Sequence, residues 1–306
     1  MHPAGDELAT LRRGLVERLR SQGVLSDDAV AAAIARVPRH LFVPGAPAAA
    51  YRDAVIATKW DADGQAISSS SQPGMMALML QQLAVDPGHR VLEIGAGTGY
   101  NAALLAILAG PAGRVTTVDI DEDLVRAARD HLAAAGIGPV EVVRGDGADG
   151  WAVGAPYDRI ELTVAADDLA PAWREQLAPG GRLVLPLALR AVQRSVALVA
   201  DGDGGLESRS ISDCAFMPLR GSLAARRTRV VIDGTVALEA PDERALDREA
   251  LAAALRRPGA AVACGVAVRP HELWGGLGLW IAVADADAGR LLVTPGWGRR
   301  SLRPAE

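Results

Sequence analysis

The stretch Val91-Leu92-Glu93-Ile94-Gly95-Ala96-Gly97-Thr98-Gly99-Tyr100 decides the fold of this chain. Residues 90–94 are mainly apolar, which is typical of a buried strand, and residues 101–109 (NAALLAILA) are typical of a helix packed behind it. The glycines between them let the backbone turn tightly and approach a ligand where a Cβ would block it. The helix N-terminus offers unpaired N–H groups to that ligand. Strand, turn and helix predict the first unit of a nucleotide-binding α/β sheet.

The glycine turn alone does not identify the ligand, because residues 97–102 (GTGYNA) also fit a dinucleotide fingerprint that ends in Ala. Carboxylates at successive strand ends favour S-adenosylmethionine (SAM) over NAD. Glu93 precedes the first glycine, where a carboxylate can hold the ammonium group of the cofactor. Asp119 ends the next strand, where it can accept both ribose hydroxyls, and Asp146 in the following Gly-Asp-Gly can receive the adenine amino group. Each of these carboxylates is alternatively a solvated turn residue.

Composition excludes several classes of protein. The chain has 306 residues, half of them hydrophobic, which predicts one large folded domain or one with an appendage. Its net charge of −5 argues against a nucleic-acid partner. Two distant cysteines and five histidines without metal-ligand spacing predict neither a disulfide framework nor a metal site. We found no signal peptide and no membrane-spanning run, so we expect a cytoplasmic protein without a membrane partner.

The N-terminal region predicts two helices. Leu8, Leu11, Leu15 and Leu19 share one face of a helix over residues 7–22. A second helix over residues 29–36 follows a Ser-Asp-Asp cap. We expect residues 7–44 to cover the sheet, with a wall of the substrate cleft as the alternative.

Residues 64–73 (GQAISSSSQP) form a polar segment that we expect to be a flexible loop, just before a helix over residues 74–83. It is either a linker or a loop that closes over the cofactor. In the second case its hydroxyl and N–H groups hold a substrate carboxylate.

Strands and helices alternate from residue 90 onward. We expect strands over 114–118, 140–143, 157–164 and 182–186, helices over 123–135 and 171–177, and a turn at Pro179-Gly180-Gly181. Residues 192–199 and 208–217 complete the sheet with an antiparallel edge. This order predicts a doubly wound, mostly parallel sheet whose ligands bind at the carboxyl ends of the strands.

Residues 222–306 differ from what precedes them and predict a small α+β appendage. We expect strands within 226–238 and 262–268, a helix over 247–255, and a glycine- and tryptophan-rich stretch at 273–280 that leads into residues 281–284. Trp274, Trp280 and Trp297 are either core anchors or parts of a peptide-binding surface.

Several of these signatures, in this order, resemble the protein-L-isoaspartate O-methyltransferases. They are residues 15–42, GQ-I-S…QP, VLEIGAGTGY, GDG and the FMPL–G ending, and the resemblance spans residues 8–221. It implies a Rossmann-like class I SAM-dependent methyltransferase domain over residues 1–221, and an accessory domain over 222–306. The residues that it implies for SAM and its product S-adenosylhomocysteine are Gln72, Glu93, Gly95, Ala96, Gly97, Thr98, Asp119, Ile120, Asp146 and Gly147.

The chain departs from the family's pattern in two places. The family's short Thr-Ile-Ser-Gln-Pro loop is longer here, so Ser71 matches the acceptor serine while Ser69 and Ser70 stay candidates. The appendage is absent from ordinary repair enzymes. Together with residues 100–105 and Ala172-Trp173, these departures resemble the subgroup that modifies ribosomally made, post-translationally modified peptides.

That resemblance predicts methylation of an ordinary aspartate in a constrained peptide, followed by closure of the ester to an aspartimide and on to isoaspartate. The alternative is repair of L-isoaspartyl residues in damaged proteins. An NAD-dependent oxidoreductase and a non-catalytic peptide-binding protein are further alternatives. An acceptor carboxylate has a pKa of about 4 and needs no general base, so we expect no catalytic His or Cys. We expect a peptide partner, no metal and, although the sequence does not decide the oligomeric state, a monomer.

Overall fold

The computed structural model describes residues 5–62, 64, 66–190, 192–201, 205–224, 228–232, 236–240, 245–257, 269, 276–285 and 289–293. The chain divides into two compact units. The first comprises residues 1–187 and 194–223, and the second comprises residues 188–193 and 224–306. The division into domains at residues 1–221 and 222–306 stays a prediction.

The first unit contains an antiparallel strand pair and a seven-stranded sheet. The pair is β1 (Ile56–Trp60) and β2 (Ala66–Ser70). The sheet strands are β3 (Arg90–Ile94), β4 (Arg114–Asp119), β5 (Val140–Arg144), β6 (Tyr157–Leu162), β7 (Leu177–Leu189), β8 (Val192–Ala200) and β9 (Leu206–Asp213). Their order is β5-β4-β3-β6-β7-β8-β9.

The pairs from β5 through β7 are parallel, and β8 pairs with β9 in the antiparallel direction. The predicted doubly wound, mostly parallel sheet with an antiparallel edge is confirmed. The strand order reverses at β3, because β4 and β6 lie on its two sides. In open α/β sheets the ligand crevice forms at such a point, outside the carboxyl ends of the strands.

Helices cover both faces of this sheet. They are α1 (Gly5–Ser21), α2 (Asp28–Arg36), α3 (Pro73–Leu83), α4 (Tyr100–Ala109), α5 (Glu122–Ala134) and α6 (Pro171–Glu175). On one face Leu15 and Leu19 of α1 are buried in a cluster with Leu104 of α4. A second cluster contains Leu92 of β3 and Trp173 of α6. Burial on both faces explains why the central strands show no alternation of buried and exposed residues, and why even Glu93 and Glu161 are buried.

Two local expectations were wrong. Residues 66–70, expected as a flexible loop, form β2, which pairs with β1 from Ser70↔Ile56 to Ala66↔Trp60. The strand was missed because it is buried without apolar side chains: the hydroxyl groups of Ser68 and Ser70 form hydrogen bonds inside the protein. The expected turn at Pro179-Gly180-Gly181 lies within β7 as an irregularity. There the register runs from Tyr157↔Leu177 to Arg159↔Arg182, which leaves extra residues on β7.

The second unit contains a three-stranded antiparallel sheet in the order β10-β11-β12. Its described elements are β10 (Thr228–Val231), β11 (Val236–Ala240), α7 (Arg248–Arg256), α8 (Gly278–Ala284) and β12 (Arg290–Val293). Ile232, Val236 and Ala252 form its buried cluster. Trp280 is 68% exposed, so its interpretation as a core anchor was wrong. Trp274, Trp297 and the strand expected over 262–268 lie outside the described residues.

Across the described ranges, no helix is long and apolar enough to cross a membrane.

Candidate active site

The glycine turn after β3 has one glycine with no room for a side chain and one with room for a methyl group. Gly95 has a φ of +104°, and a Cβ there would lie 2.6 Å from the Thr163 hydroxyl oxygen. Gly97 has a φ of +51°, and a Cβ there would meet nothing closer than 3.7 Å. Neighbouring protein therefore requires a glycine at position 95. A methyl group at Gly97 would make only ordinary contacts, so this open face of the turn has room for a ligand, as the cofactor prediction requires.

Asp119 lies beside this turn at the carboxyl end of β4. Its Oδ2 accepts a hydrogen bond from the Gly97 N–H at 2.9 Å, and its Oδ1 accepts one from the Asp121 N–H at 3.1 Å. Burial raises the pKa of Asp119, while these backbone donors oppose that shift. Each carboxylate oxygen can accept a further hydrogen bond. Asp119 therefore has acceptor capacity for a hydroxyl pair next to the open face of Gly97, and Ile120 directly follows it.

Asp146 and Gly147 lie at the same edge of the sheet. A Cβ on Gly147 would lie 2.5 Å from a methyl carbon of Ile94, the last residue of β3. The two Asp146 oxygens accept hydrogen bonds from the Ala148 N–H at 3.0 Å and the Ser222 N–H at 2.6 Å. Asp146 thus joins the end of the first unit to the edge where Asp119 lies.

Glu93 lies inside the protein, behind the turn. It is completely buried. Its Oε2 accepts a hydrogen bond from the Thr117 hydroxyl at 2.5 Å, and its Oε1 accepts one from the Asn101 amide at 2.9 Å. Burial raises its pKa to about 8. Both oxygens have protein donors here, so the assignment of Glu93 to the cofactor's ammonium group stays a prediction.

Two further buried residues accompany Glu93, and the motifs of the sequence single out neither of them: Asn101 and Glu161. The Asn101 amide also donates to Glu161 on β6, at 2.8 Å. Burial raises the pKa of Glu161 to about 7. The sequence did contain one sign of this arrangement. Glu93 lies within the largely apolar strand β3, and a buried carboxyl group requires a hydrogen-bonding partner.

The serine-bearing strand β2 lies over the open face of the glycine turn. From the position of a Gly97 Cβ, the nearest atoms are the Ser69 carbonyl oxygen at 3.7 Å and the Ser68 hydroxyl oxygen at 3.8 Å. Ser68, which we did not name as a candidate, is buried and accepts a hydrogen bond from the Thr58 hydroxyl at 3.2 Å. The structure thus brings the serine segment and the glycine turn together.

The three predicted serines have different surroundings. Ser70 is buried, and its hydroxyl oxygen accepts a hydrogen bond from Arg39 at 3.2 Å. Ser69 and Ser71 are half-buried. The alternation of β2 explains this difference, since Ser68 and Ser70 share its buried face.

Three further predicted contacts of the cofactor lie at or near the turn. Ala96 and Thr98 are almost completely buried, and the Thr98 carbonyl oxygen lies 2.9 Å from Nδ1 of His131. Gln72 precedes α3, and its amide donates to Asp53 at 2.8 Å. Within the described residues, no group of three metal-ligating side chains comes together.

The sheet order and the ligand-facing turn after β3 define a class I SAM-dependent methyltransferase. The family model of the protein-L-isoaspartate(D-aspartate) O-methyltransferases matches residues 10–224. The chain belongs to this family, and its enzyme class is that of the SAM-dependent protein carboxyl O-methyltransferases. The alternatives of an NAD-dependent oxidoreductase and of a non-catalytic binding protein are therefore set aside.

Relatives from archaea carry the same assignment. A protein-L-isoaspartate O-methyltransferase of Methanopyrus kandleri is 42% identical over 212 residues, which cover 69% of this chain and 91% of that protein. One from Aeropyrum pernix is 41% identical over 218 residues, covering 71% of this chain and 82% of that protein.

Solved structures agree with the fold. A protein-L-isoaspartate O-methyltransferase with 28% identity superposes with a TM-score of 0.64, over 76% of this chain and 86% of that one. A putative Plasmodium falciparum relative in complex with S-adenosyl-L-homocysteine superposes with a TM-score of 0.60 at 21% identity, over 68% of this chain and 98% of that one.

Proposed function

We propose that this enzyme transfers the methyl group of SAM to the free α-carboxylate of L-isoaspartyl residues in peptides or damaged proteins. The family membership of residues 10–224 supports this substrate class. The observation that carries the proposal is the position of β2, whose Ser68 hydroxyl and Ser69 carbonyl oxygens are the atoms nearest to a Cβ position on Gly97. A carboxylate held by the serine segment therefore meets a cofactor held by the glycine turn.

The residues proposed for SAM lie along the carboxyl edge of the sheet. The backbone of Gly95 to Thr98 forms the turn, Asp119 and Ile120 follow β4, and Asp146 and Gly147 follow β5. Gln72 is the proposed contact from the serine side. When bound, SAM supplies an electrophilic methyl group.

The chain's own task is to orient the acceptor and exclude water. The acceptor is ionised at neutral pH, so no side chain has to remove a proton. Hydroxyl groups of the serine segment can donate to one carboxylate oxygen and leave the other free to react. Hydroxyls stabilise the anion less than an arginine fork would, so the ground state is not favoured over the transition state.

A second candidate substrate is an ordinary aspartate in a constrained, ribosomally made peptide. The backbone nitrogen of the next residue would attack the methyl ester, methanol would leave, and an aspartimide would form. The second unit favours this candidate. Residues 225–306 lie outside the family match, whereas the alignments with the two relatives already cover 91% and 82% of those proteins. The exposed Trp280 of that unit offers an aromatic contact for a peptide.

Mass spectrometry of three peptides separates these functions. The first is flexible and contains L-isoaspartate, the second is the same sequence with L-aspartate, and the third is a macrocycle with L-aspartate. We expect SAM-dependent methylation of the first peptide and none of the second. Methylation of the macrocycle alone, followed by loss of methanol, would replace the first function by the second. If all three remain unmodified while S-adenosylhomocysteine binds, both functions are wrong.

A further inference from the structure

Arg39 is a completely buried arginine to which neither the sequence nor the family match assigns a role. It begins a short 3-10 turn, Arg39–Leu41, after α2. Its Nη1 donates to the Ala50 carbonyl oxygen at 2.8 Å, and its Nη2 donates to the Ser71 carbonyl oxygen at 2.9 Å and to the Ser70 hydroxyl oxygen at 3.2 Å. A single guanidinium therefore joins the segment before β1 to the serines that follow and end β2.

The acceptors of this guanidinium are unusual for a buried charge. In the described residues they are carbonyl and hydroxyl oxygens, including longer contacts of 3.4 Å to the carbonyl oxygens of Arg52 and Ala54. Asp53, the carboxylate whose charge acts on Arg39, accepts its hydrogen bonds from Gln72 and from the Gly74 N–H. Burial lowers the pKa of Arg39. Burying a cation is unfavourable, and here it is offset by satisfying carbonyl groups that an apolar side chain would leave unpaired.

Arg39 also reaches the cofactor side of the site. Its guanidinium carbon lies 5.6 Å from the ring centroid of Tyr100, the first residue of α4 after the glycine turn. This distance is within the range of a cation–π contact. Arg39 thus contacts both the serine segment and the element that carries the turn.

We propose that Arg39 is a positioning residue that sets the placement of Ser68–Ser71 relative to the glycine turn, and thereby aligns the acceptor carboxylate for methyl transfer. This inference rests on the proposed carboxyl methylation at that segment. In-line transfer depends steeply on alignment, so a small displacement of the segment lowers the rate. Arg39 acts through the serines and does not touch the reacting atoms. The planar fork carries this role, because one group must reach acceptors in two separate segments.

The variants Arg39→Lys and Arg39→Met test this role, with Arg18→Met as the matched control. Arg18 donates to the Tyr51 carbonyl oxygen at 2.7 Å, so its loss loosens the same segment before β1 without touching the serines. Lysine keeps the charge and loses the fork, whereas methionine loses both. Arg39→Lys also provides a second variant if Arg39→Met does not fold.

Three measurements are made on each full-length variant. They are kcat and KM on the isoaspartyl peptide, S-adenosylhomocysteine affinity by calorimetry, and hydrogen exchange of the amides at residues 68–71. For both Arg39 variants we expect kcat to fall by about tenfold or more, S-adenosylhomocysteine affinity to stay within about threefold, and exchange at residues 68–71 to accelerate. Arg18→Met keeps kcat within about twofold, with faster exchange confined to the segment around Tyr51.

Other results overturn the inference. If Arg39→Lys keeps wild-type kcat and exchange, the charge and not the fork is what matters. If cofactor affinity falls in parallel with kcat, Arg39 acts on the glycine turn through Tyr100. If the wild type methylates none of the peptides, the proposed function fails separately. Hydrogen exchange still decides the positioning role in that case, because unchanged exchange at residues 68–71 in Arg39→Lys contradicts it.

Discussion

Glu93 and Glu161 lie directly opposite each other on the neighbouring parallel strands β3 and β6. Both are buried, and Nδ2 of Asn101 donates a hydrogen bond to each of them, at 2.9 and 2.8 Å. Burial raises the pKa of Glu93 to about 8 and that of Glu161 to about 7. Burial is the larger cause of both shifts, and the charge of Glu161 adds to that of Glu93, so this interior pair favours the protonated form.

This pair predicts that the free energy of unfolding decreases as the pH rises. A folded-state pKa above the unfolded value means that the folded state binds more protons between about pH 5 and about pH 8, so stability is lost across that window. Glu161→Gln removes one titrating group and keeps an oxygen that can accept from Asn101. Relative to the wild type, we expect it to gain on the order of 2 kcal/mol at about pH 8.5 and little at about pH 5.

Urea unfolding at both pH values measures this difference. The control is Glu175→Gln on the exposed end of α6, which should keep the wild-type slope. Parallel pH profiles for Glu161→Gln and the wild type would contradict the prediction.

Gly97→Ala tests the open face of the turn. The φ of +51° makes alanine unfavourable by about 1 kcal/mol, but no protein atom lies within 3.7 Å of the new methyl group. We therefore expect a folded protein with a slightly lower Tm whose affinity for S-adenosylhomocysteine falls by about tenfold or more. Gly136→Ala is the control, since Gly136 has a φ of +63° and no atom within 4 Å of a Cβ. It should lose stability and keep its affinity, and equal losses of affinity in both variants would refute the open-face assignment.

Asp119→Asn tests the carboxylate at the end of β4. The amide keeps one acceptor oxygen but places a donor where Asp119 now accepts from the N–H groups of Gly97 and Asp121. We expect S-adenosylhomocysteine binding to weaken by about tenfold to a hundredfold, the loss typical of a hydrogen bond to a charged group. Calorimetry measures it, and Asp130→Asn on the exposed side of α5 is the control. Unchanged affinity in Asp119→Asn would remove this residue from the cofactor site.

Ser71→Ala tests the acceptor side. Loss of a hydroxyl that orients the acceptor should lower kcat on the isoaspartyl peptide by about tenfold, while S-adenosylhomocysteine affinity remains unchanged. Ser69→Ala, made in parallel, decides which half-buried serine carries the role, and Ser208→Ala on the exposed β9 is the control. A loss of cofactor affinity in Ser71→Ala would assign the segment to the cofactor instead.

The parallel sheet was predictable because short segments rich in apolar and β-branched residues alternate with helical segments and are bounded by glycine and proline. Residues 90–94 and 157–162 are recognisable without tertiary information. The strand β2 was not, since a run of serines has no apolar alternation. The burial of one face of β2 depends on partners far away in sequence, such as Arg39 for Ser70. The local sequence pattern does not predict hydrogen bonds between side chains that are distant in the chain.

The candidate site was predictable to a similar degree. Gly97, Asp119 and Asp146 were proposed from their positions after strands, and the structure brings all three to one edge of the sheet. The burial of Glu93 and the role inferred for Arg39 were not. A charged residue in sequence is normally expected to be solvated. Only the fold shows which carboxyl and guanidinium groups are enclosed.

Gly95 and Gly97 belong to one sequence motif, but we expect substitutions at the two positions to harm the protein in different ways. A Cβ at position 95 would lie 2.6 Å from the Thr163 hydroxyl oxygen, whereas one at position 97 would make only ordinary contacts, at 3.7 Å or more, with Ser69 and Ser68. In a screen that measures cellular abundance and activity separately, substitutions at the first position would deplete the protein itself. We expect alanine at the second to leave the protein abundant but less active, which would divide the motif into a determinant of folding yield and a determinant of catalysis.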